Sequence, residues 1–203
     1  RSLAKRLGLD VEVVGKPGQD SWRWGVDASV IEERLRKDTQ HEIKAVCVVH
    51  NETSTGVTSN IAAVRKAIDS LKHPALLLVD SVSGLGSADY EHDKWGADVT
   101  VSGSQKGLML PPGIGFNALS PRAIEASKHN TFPKSYWAWD EILESNKNGY
   151  WPTTPSTNLM YGLHEAMDMM MVEGLDNIFA RHQRDRKSTR LNSSHTDISR
   201  MPS

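Results

Sequence analysis

A single cysteine, Cys47, leaves nothing for an intrachain disulfide to join, and a reducing, cytoplasmic setting is the expectation. Long apolar runs are missing as well, and none approaches the roughly 20 residues a membrane helix requires. The opening residues Arg-Ser-Leu-Ala-Lys-Arg-Leu lack an apolar h-region, so they do not read as a secretory signal. Charge of one sign is absent too. The 24 Lys and Arg are interspersed with 25 Asp and Glu, which argues against nucleic acid or an anionic membrane as partner. No set of side chains has metal-ligand spacing, no internal repeat is visible, and the glycine-bearing loops match neither the Walker nor the dinucleotide fingerprint.

What is present suffices for one domain with a sizeable core, since the chain has 203 residues. Strand and helix alternate through its middle. The β-branched run 11–14 is followed by a polar Gly/Pro/Trp segment over 15–25. Asp27 can cap a helix over 28–37 with Val30, Ile31 and Leu35 turned inward, and Asn60 opens another with Ile61, Val64, Ile68 and Leu71 on one stripe. The nearly unbroken apolar runs 45–49, 76–79 and 99–101 read as buried strands, Cys47 among them. Such runs separated by amphipathic helices predict an α/β fold, a parallel sheet covered on both faces. Shorter helices are expected over 121–128 and 136–144, then an aromatic loop over 146–157. The last expected helix is a methionine-rich one over 159–172, whose Met160, Met167, Met170 and Met171 fit a core or subunit-interface stripe.

Ligands of parallel sheets bind beyond the carboxyl ends of the strands. Here all three such ends carry polar, glycine-bearing loops: His50 to Gly56, Asp80 to Gly84, and Ser102 to Gly107 running on into Pro111-Pro112-Gly113. Asp80 closes one apolar run, and Lys106 lies in a Gly/Ser-rich turn about 26 residues later. Taken singly, Asp80 reads as a turn cap and Lys106 as a solvated charge. Together they are the two charged groups a pyridoxal phosphate site needs, the lysine for the Schiff base and the carboxylate for the protonated pyridine nitrogen. Thr53, Ser54 and Thr55 are either turn-forming hydroxyls or a contact for the cofactor ring oxygen. His50 reads as a satisfied strand-end histidine.

The motifs HNETSTGV, LLLVDSVSGLG, SGSQKGLMLPPG and YWPTTPSTNLMYGLHEAMDMM, in that order, resemble the class V aminotransferases of the fold-type I pyridoxal phosphate superfamily. Within it the likeness is to serine–glyoxylate and alanine–glyoxylate aminotransferases, and it runs from about residue 1 to 183. The resemblance implies Lys106 as the Schiff-base lysine, Asp80 as the pyridine-nitrogen partner, Val82 beside the ring, Thr53 at the phenolic oxygen and Gln105 near the phosphate. Tyr150 and Thr153 match positions that reach the phosphate of a neighbouring subunit, which implies a homodimer. The implied reaction is a ping-pong transamination of a small amino acid, serine favoured, with glyoxylate, giving glycine and a keto acid. The freed Lys106 amine would move a proton between the substrate α-carbon and the cofactor. Gly84 departs from the pattern, since relatives commonly carry serine there.

Other members of the superfamily are weighed against this. Cysteine desulfurases usually carry histidine before the lysine and a mobile catalytic cysteine, where this chain has Gln105 and a strand cysteine. Phosphoserine aminotransferases share Gln-Lys but not the continuation Leu-Met-Leu-Pro-Pro-Gly. The resemblance also implies that residues 1–185 form part of the large cofactor-binding domain. The family's phosphate loop, ring-stacking aromatic and carboxylate-gripping arginine have no counterpart by motif, and negligible activity is expected of the chain alone. From about Lys187 periodicity is lost, and 186–203, reading KSTRLNSSHTDISRMPS from Lys187, resembles translated sequencing-adapter read-through. That tail is expected to be non-native.

Overall fold

The computed structural model describes residues 2–195 apart from 16, 17, 19, 20 and 133. Helix α1 spans Ser2–Arg6, and the β-branched run 11–14 that follows forms no strand. Helix α2, Ala28–Arg36, starts where predicted because the Asp27 carboxylate accepts the Ser29 N–H. Strand β1, Ala45–Val49, leads into α3, Ile61–Ser70, which Asn60 caps through the Ala63 N–H. Strands β2, Leu76–Asp80, and β3, Val99–Gly103, continue the alternation. The sheet is ordered β1-β2-β3-β4, parallel across its first three strands.

Strand β4, Gly115–Leu119, was not expected from the sequence, and it runs antiparallel to β3. With a glycine and an asparagine among its five residues, it has no unbroken apolar run to betray it. Its pairing is imposed by the turn before it, where Ser104 N–H donates to the Ile114 carbonyl at 3.0 Å. Four helices follow: α4 (Pro121–Lys128), α5 (Trp139–Lys147), α6 (Thr157–Glu173) and α7 (Leu175–His195).

Two clusters hold the chain together. The first sets Ile31 and Leu35 of α2 and Ile61, Val64 and Ile68 of α3 against Val46, Val48, Leu77 and Val79 of the sheet. Each such side chain, fully buried, contributes about 1.5–3 kcal/mol, so this face is the main source of stability. The second joins Leu108, Met170 of α6 and Ile178 of α7, with Leu85 and Phe116 packed on it. It fastens the C-terminal helices to the loops that leave β2 and β3.

The expectation of burial on both faces needs correcting. The strand β1 alternates, so Ala45, Cys47 and Val49 are exposed while Val46 and Val48 are buried. In register with Val49 stand Asp80 and Val101, also exposed. Cys47 is therefore an accessible thiol on an open sheet face and not a core residue. The sequence is apolar on both sides of β1, whose second face is open, whereas in the register row of Cys47 the neighbouring Leu78 is half-buried and Val99 buried. The methionine stripe also divides. Met170 is buried, whereas Met167, Met169 and Met171 face solvent.

Candidate active site

Three loops leave the carboxyl ends of β1, β2 and β3, and hydrogen bonds lace them side by side. Asn51 and Ser83 join the first two, with Ser83 Oγ donating to the Asn51 carbonyl at 2.6 Å and Asn51 Nδ2 donating to Ser83 Oγ at 3.2 Å. The strand ends beneath are tied in the same way. His50 N–H donates to the Asp80 carbonyl and Ser81 N–H to that of Val101.

In the loop after β1 the hydroxyls sort themselves. Ser54 Oγ and N–H both donate to the Glu52 carboxylate, which they hold below the usual carboxylate range. Thr55 Oγ1 accepts the Val57 N–H. Thr53 is exposed and its hydroxyl makes no hydrogen bond among the described residues. Of the three candidates from the sequence, Thr53 alone is left available to a ligand.

Asp80 projects onto the open face. One of its oxygens, Oδ1, accepts the Val82 N–H at 3.0 Å, which makes a turn of the backbone and holds Val82, half-buried, beside the carboxylate. The turn-capping and ligand-holding readings of Asp80 are thus compatible, because Oδ2 remains uncommitted. Beneath it, His50 and Ser81 are wholly buried, yet His50 Nδ1 and Ser81 Oγ have no hydrogen-bond partner among the described residues. The His50 ring is packed against Tyr90 and Trp95, and burial pushes its pKa below the ordinary value, with nearby Asp89 opposing. A side chain on Gly84 would collide with this ring, since its Cβ would lie 2.3 Å from His50 Nδ1.

Lys106 lies in a tightly wound turn, exposed, like Gln105 before it. Ser104, wholly buried, pins the base of this turn by donating from Oγ to the Pro111 carbonyl at 2.7 Å. The Met109 N–H donates to the Lys106 carbonyl, and Met109 itself has φ 59°, a left-handed backbone rare for such a side chain. Gln105 folds back over the strand end, where a Cβ on Gly103 would come 2.8 Å from its Oε1.

An exposed amine, a carboxylate with one free oxygen, a free hydroxyl and a half-buried valine thus converge on one end of one sheet. That donor set fits pyridoxal phosphate: an amine for its carbonyl carbon, an anion for its pyridinium and an apolar contact for its ring. Tyr150 and Thr153 are not brought into this group. They lie in the loop between α5 and α6, exposed, with the Tyr150 backbone bonded only to Ser145 and Asn146. Ser104 and Gly107 entered the sequence reading only as members of the Gly/Ser-rich turn around Lys106, and Gly86 only as the last residue of the motif LLLVDSVSGLG.

Comparison with known proteins gives the family of the chain. The family model described as Aminotransferase class-V matches residues 1–196. The serine–glyoxylate aminotransferase of Arabidopsis thaliana is 49% identical over 188 residues, 92% of this chain and 46% of that protein. The L-aspartate–glyoxylate aminotransferase of Paracoccus denitrificans is 47% identical over 183 residues, 90% of this chain and 45% of its own length. Among solved structures, the alanine–glyoxylate aminotransferase of Nostoc sp. superposes with a TM-score of 0.81 at 31% identity, covering 92% of this chain and 48% of that one. The chain spans about half the length of the curated relatives it matches.

Proposed function

This chain belongs to the class V aminotransferases, and we propose that it serves pyridoxal phosphate-dependent transamination between a small amino acid, serine favoured, and glyoxylate. The observation that carries the proposal is the convergence of Lys106, Asp80, Val82 and Thr53 at one sheet edge. Glyoxylate as acceptor is supported by relatives whose donors are named as serine and as aspartate, while the acceptor stays the same.

When bound, pyridoxal phosphate supplies an electrophilic carbon and a ring that draws electrons from the substrate α-carbon. Everything else falls to the chain. Lys106 Nζ holds the group and, once freed by the incoming amino acid, takes a proton from the α-carbon and delivers one on the other side of the exchange. Asp80 Oδ2 would keep the pyridine nitrogen protonated, Val82 would supply the apolar contact for the ring, Thr53 would donate to the phenolic oxygen and Gln105 would serve the phosphate. Tyr150 and Thr153 serve the site of a second copy. Their exposure supports this, as does that of Tyr136, Trp137 and Trp151, an aromatic surface suited to a homodimer interface. The lone cysteine is consistent with a cytoplasmic setting. No helix among the described residues is long and apolar enough to cross a membrane.

A second reading concerns the chain by itself, and the exposure of Asp80, Thr53 and Lys106 favours it: a binder of cofactor without measurable turnover. The test is absorbance spectroscopy of the purified chain with pyridoxal phosphate, beside Lys106→Ala. A visible band that borohydride fixes as added mass on the Lys106 peptide, absent in the variant, is expected. Equal labelling of other lysines in both proteins would refute the site. Glycine formed from serine and glyoxylate by the chain alone would overturn the second reading.

A further inference from the structure

The loops carrying Asp80 and Lys106 meet backbone to backbone, and glycine stands on both sides of the contact. A Cβ on Gly107 would lie 2.2 Å from the Leu85 carbonyl oxygen, 2.7 Å from the Gly86 carbonyl carbon and 2.7 Å from Ser87 Oγ. A Cβ on Gly86 would lie 3.0 and 3.1 Å from the carbonyl carbon and oxygen of Gly107, and 3.2 Å from Met170 Cε. Gly86 also has φ 75°, a conformation that side chains disfavour. Gly25 also meets backbone closely, at the Thr58 carbonyl oxygen 2.8 Å away, but only Gly86 and Gly107 face each other across the two loops. Around Gly115 in β4, by contrast, nothing lies within 4 Å.

Each of the two turns is stiff within itself. In the first, Gly84 and Leu85 N–H groups donate to the Ser81 carbonyl, and those of Ser87 and Ala88 to that of Gly84. In the second, Lys106 is spanned by the Met109 hydrogen bond, and Leu110 N–H returns to the Ser104 carbonyl. Two stiff turns that touch at one place have their separation fixed by the contact. Buried Met170 of α6 closes over it and transmits the second core cluster to both.

We propose that Gly86 and Gly107 are positioning residues that set the distance between the Lys106 amine and the Asp80 carboxylate. The proposal rests on the reading of Lys106 and Asp80 as the cofactor pair. A methyl group at 107 must push the 85–87 backbone away by about 1 Å to reach ordinary contact, beyond the roughly 0.5 Å within which such constellations must be held. The bound amine nitrogen then meets the Asp80 charge at another distance, and its proton affinity changes.

The test compares Gly107→Ala with Gly115→Ala in two measurements. The first, hydrogen exchange followed by mass spectrometry without cofactor, reports the contact: exchange over 81–88 is expected to rise at least about threefold in Gly107→Ala alone. The second is the pH titration of the visible band formed with pyridoxal phosphate, whose midpoint is expected to move by at least about 0.5 pH unit. Faster exchange with an unmoved midpoint would make the glycines merely structural and overturn the proposal, as would no change in either measurement. A wild-type chain without a Lys106-dependent band would refute the site reading, and the positioning role with it, while exchange still reported whether the turns touch. Should Gly107→Ala not fold, Gly86→Ala decides. Its contacts are looser, and a smaller shift in the same direction is expected.

Discussion

Replacing Asp98 by alanine should unfasten the sheet at the end opposite the candidate site. Asp98 lies just before β3 and is 3% exposed. Its Oδ2 accepts the Leu77 N–H at 2.9 Å and Arg65 Nη1 at 3.3 Å, and its Oδ1 accepts Ser120 Oγ at 2.9 Å. Ser120 can turn away, because its hydroxyl also accepts the Ala123 N–H. Leu77 cannot, being wholly buried. Arg65, whose Nε already lacks a partner, would keep only exposed Asp69. Breaking a buried ion pair by removing one side costs about 3–5 kcal/mol, and a hydrogen bond to a charged group about 1.5–3 kcal/mol; because these overlap, about 4 kcal/mol is expected. That is a large part of the roughly 5–15 kcal/mol that holds a domain folded. In urea the midpoint should fall by about 1.5–2 M, taking a slope of about 2–3 kcal/mol per M. Asp98→Asn keeps an acceptor for Leu77 but no charge for Arg65, and should lose about half as much. Asp69→Ala removes only an exposed partner and should cost less than about 1 kcal/mol. A loss below about 1 kcal/mol for Asp98→Ala, or one no larger than that for Asp69→Ala, would refute this account.

Two further outcomes follow from the residues beneath the site. Burial lowers the folded-state pKa of His50 below its ordinary value of 6.5, so the unfolded chain binds its proton first. The stability this group permits is full above that value and declines as pH falls through the window below it. A His50→Asn variant should lack this part of the acid sensitivity in urea titrations between about pH 7 and about pH 5, and identical curves would exclude it. Gly84→Ser places a Cβ 2.3 Å from the His50 ring and should destabilise by about 1–3 kcal/mol through overpacking, read by thermal unfolding. A serine variant as stable as the parent would mean that the ring turns aside without cost.

What the sequence made legible was local. Asp27 and Asn60 announce helix starts because a capping side chain bonds its own neighbours. Asp80 and Lys106 stood out because they end or follow apolar runs whose direction the alternation of elements fixes. Which face of Ala45–Val49 would be covered was hidden, since residues on both faces are apolar. Strand β4 was hidden because its pairing comes from the Ser104 turn and not from its own composition. Thr53 could be separated from Ser54 and Thr55 only when Glu52 and the Val57 N–H were seen to occupy the other two. Gly86 and Gly107 carry no signal of partnership, as a glycine in a loop names no neighbour. The roles of Tyr150 and Thr153 come from resemblance alone.

The order of the strands across the sheet is their order along the chain. Among the described residues each strand lies beside the one that precedes it in the chain. During synthesis the loop with Thr53 leaves the ribosome first, the turn with Asp80 next and Lys106 last. The strand that carries Lys106 beyond its end pairs on one side with the strand that ends in Asp80 and on the other with the antiparallel strand that follows its turn. Because neighbours in the sheet are neighbours along the chain, the loops between them are short to close, and the three strand ends that bear Thr53, Asp80 and Lys106 come together at little entropic cost.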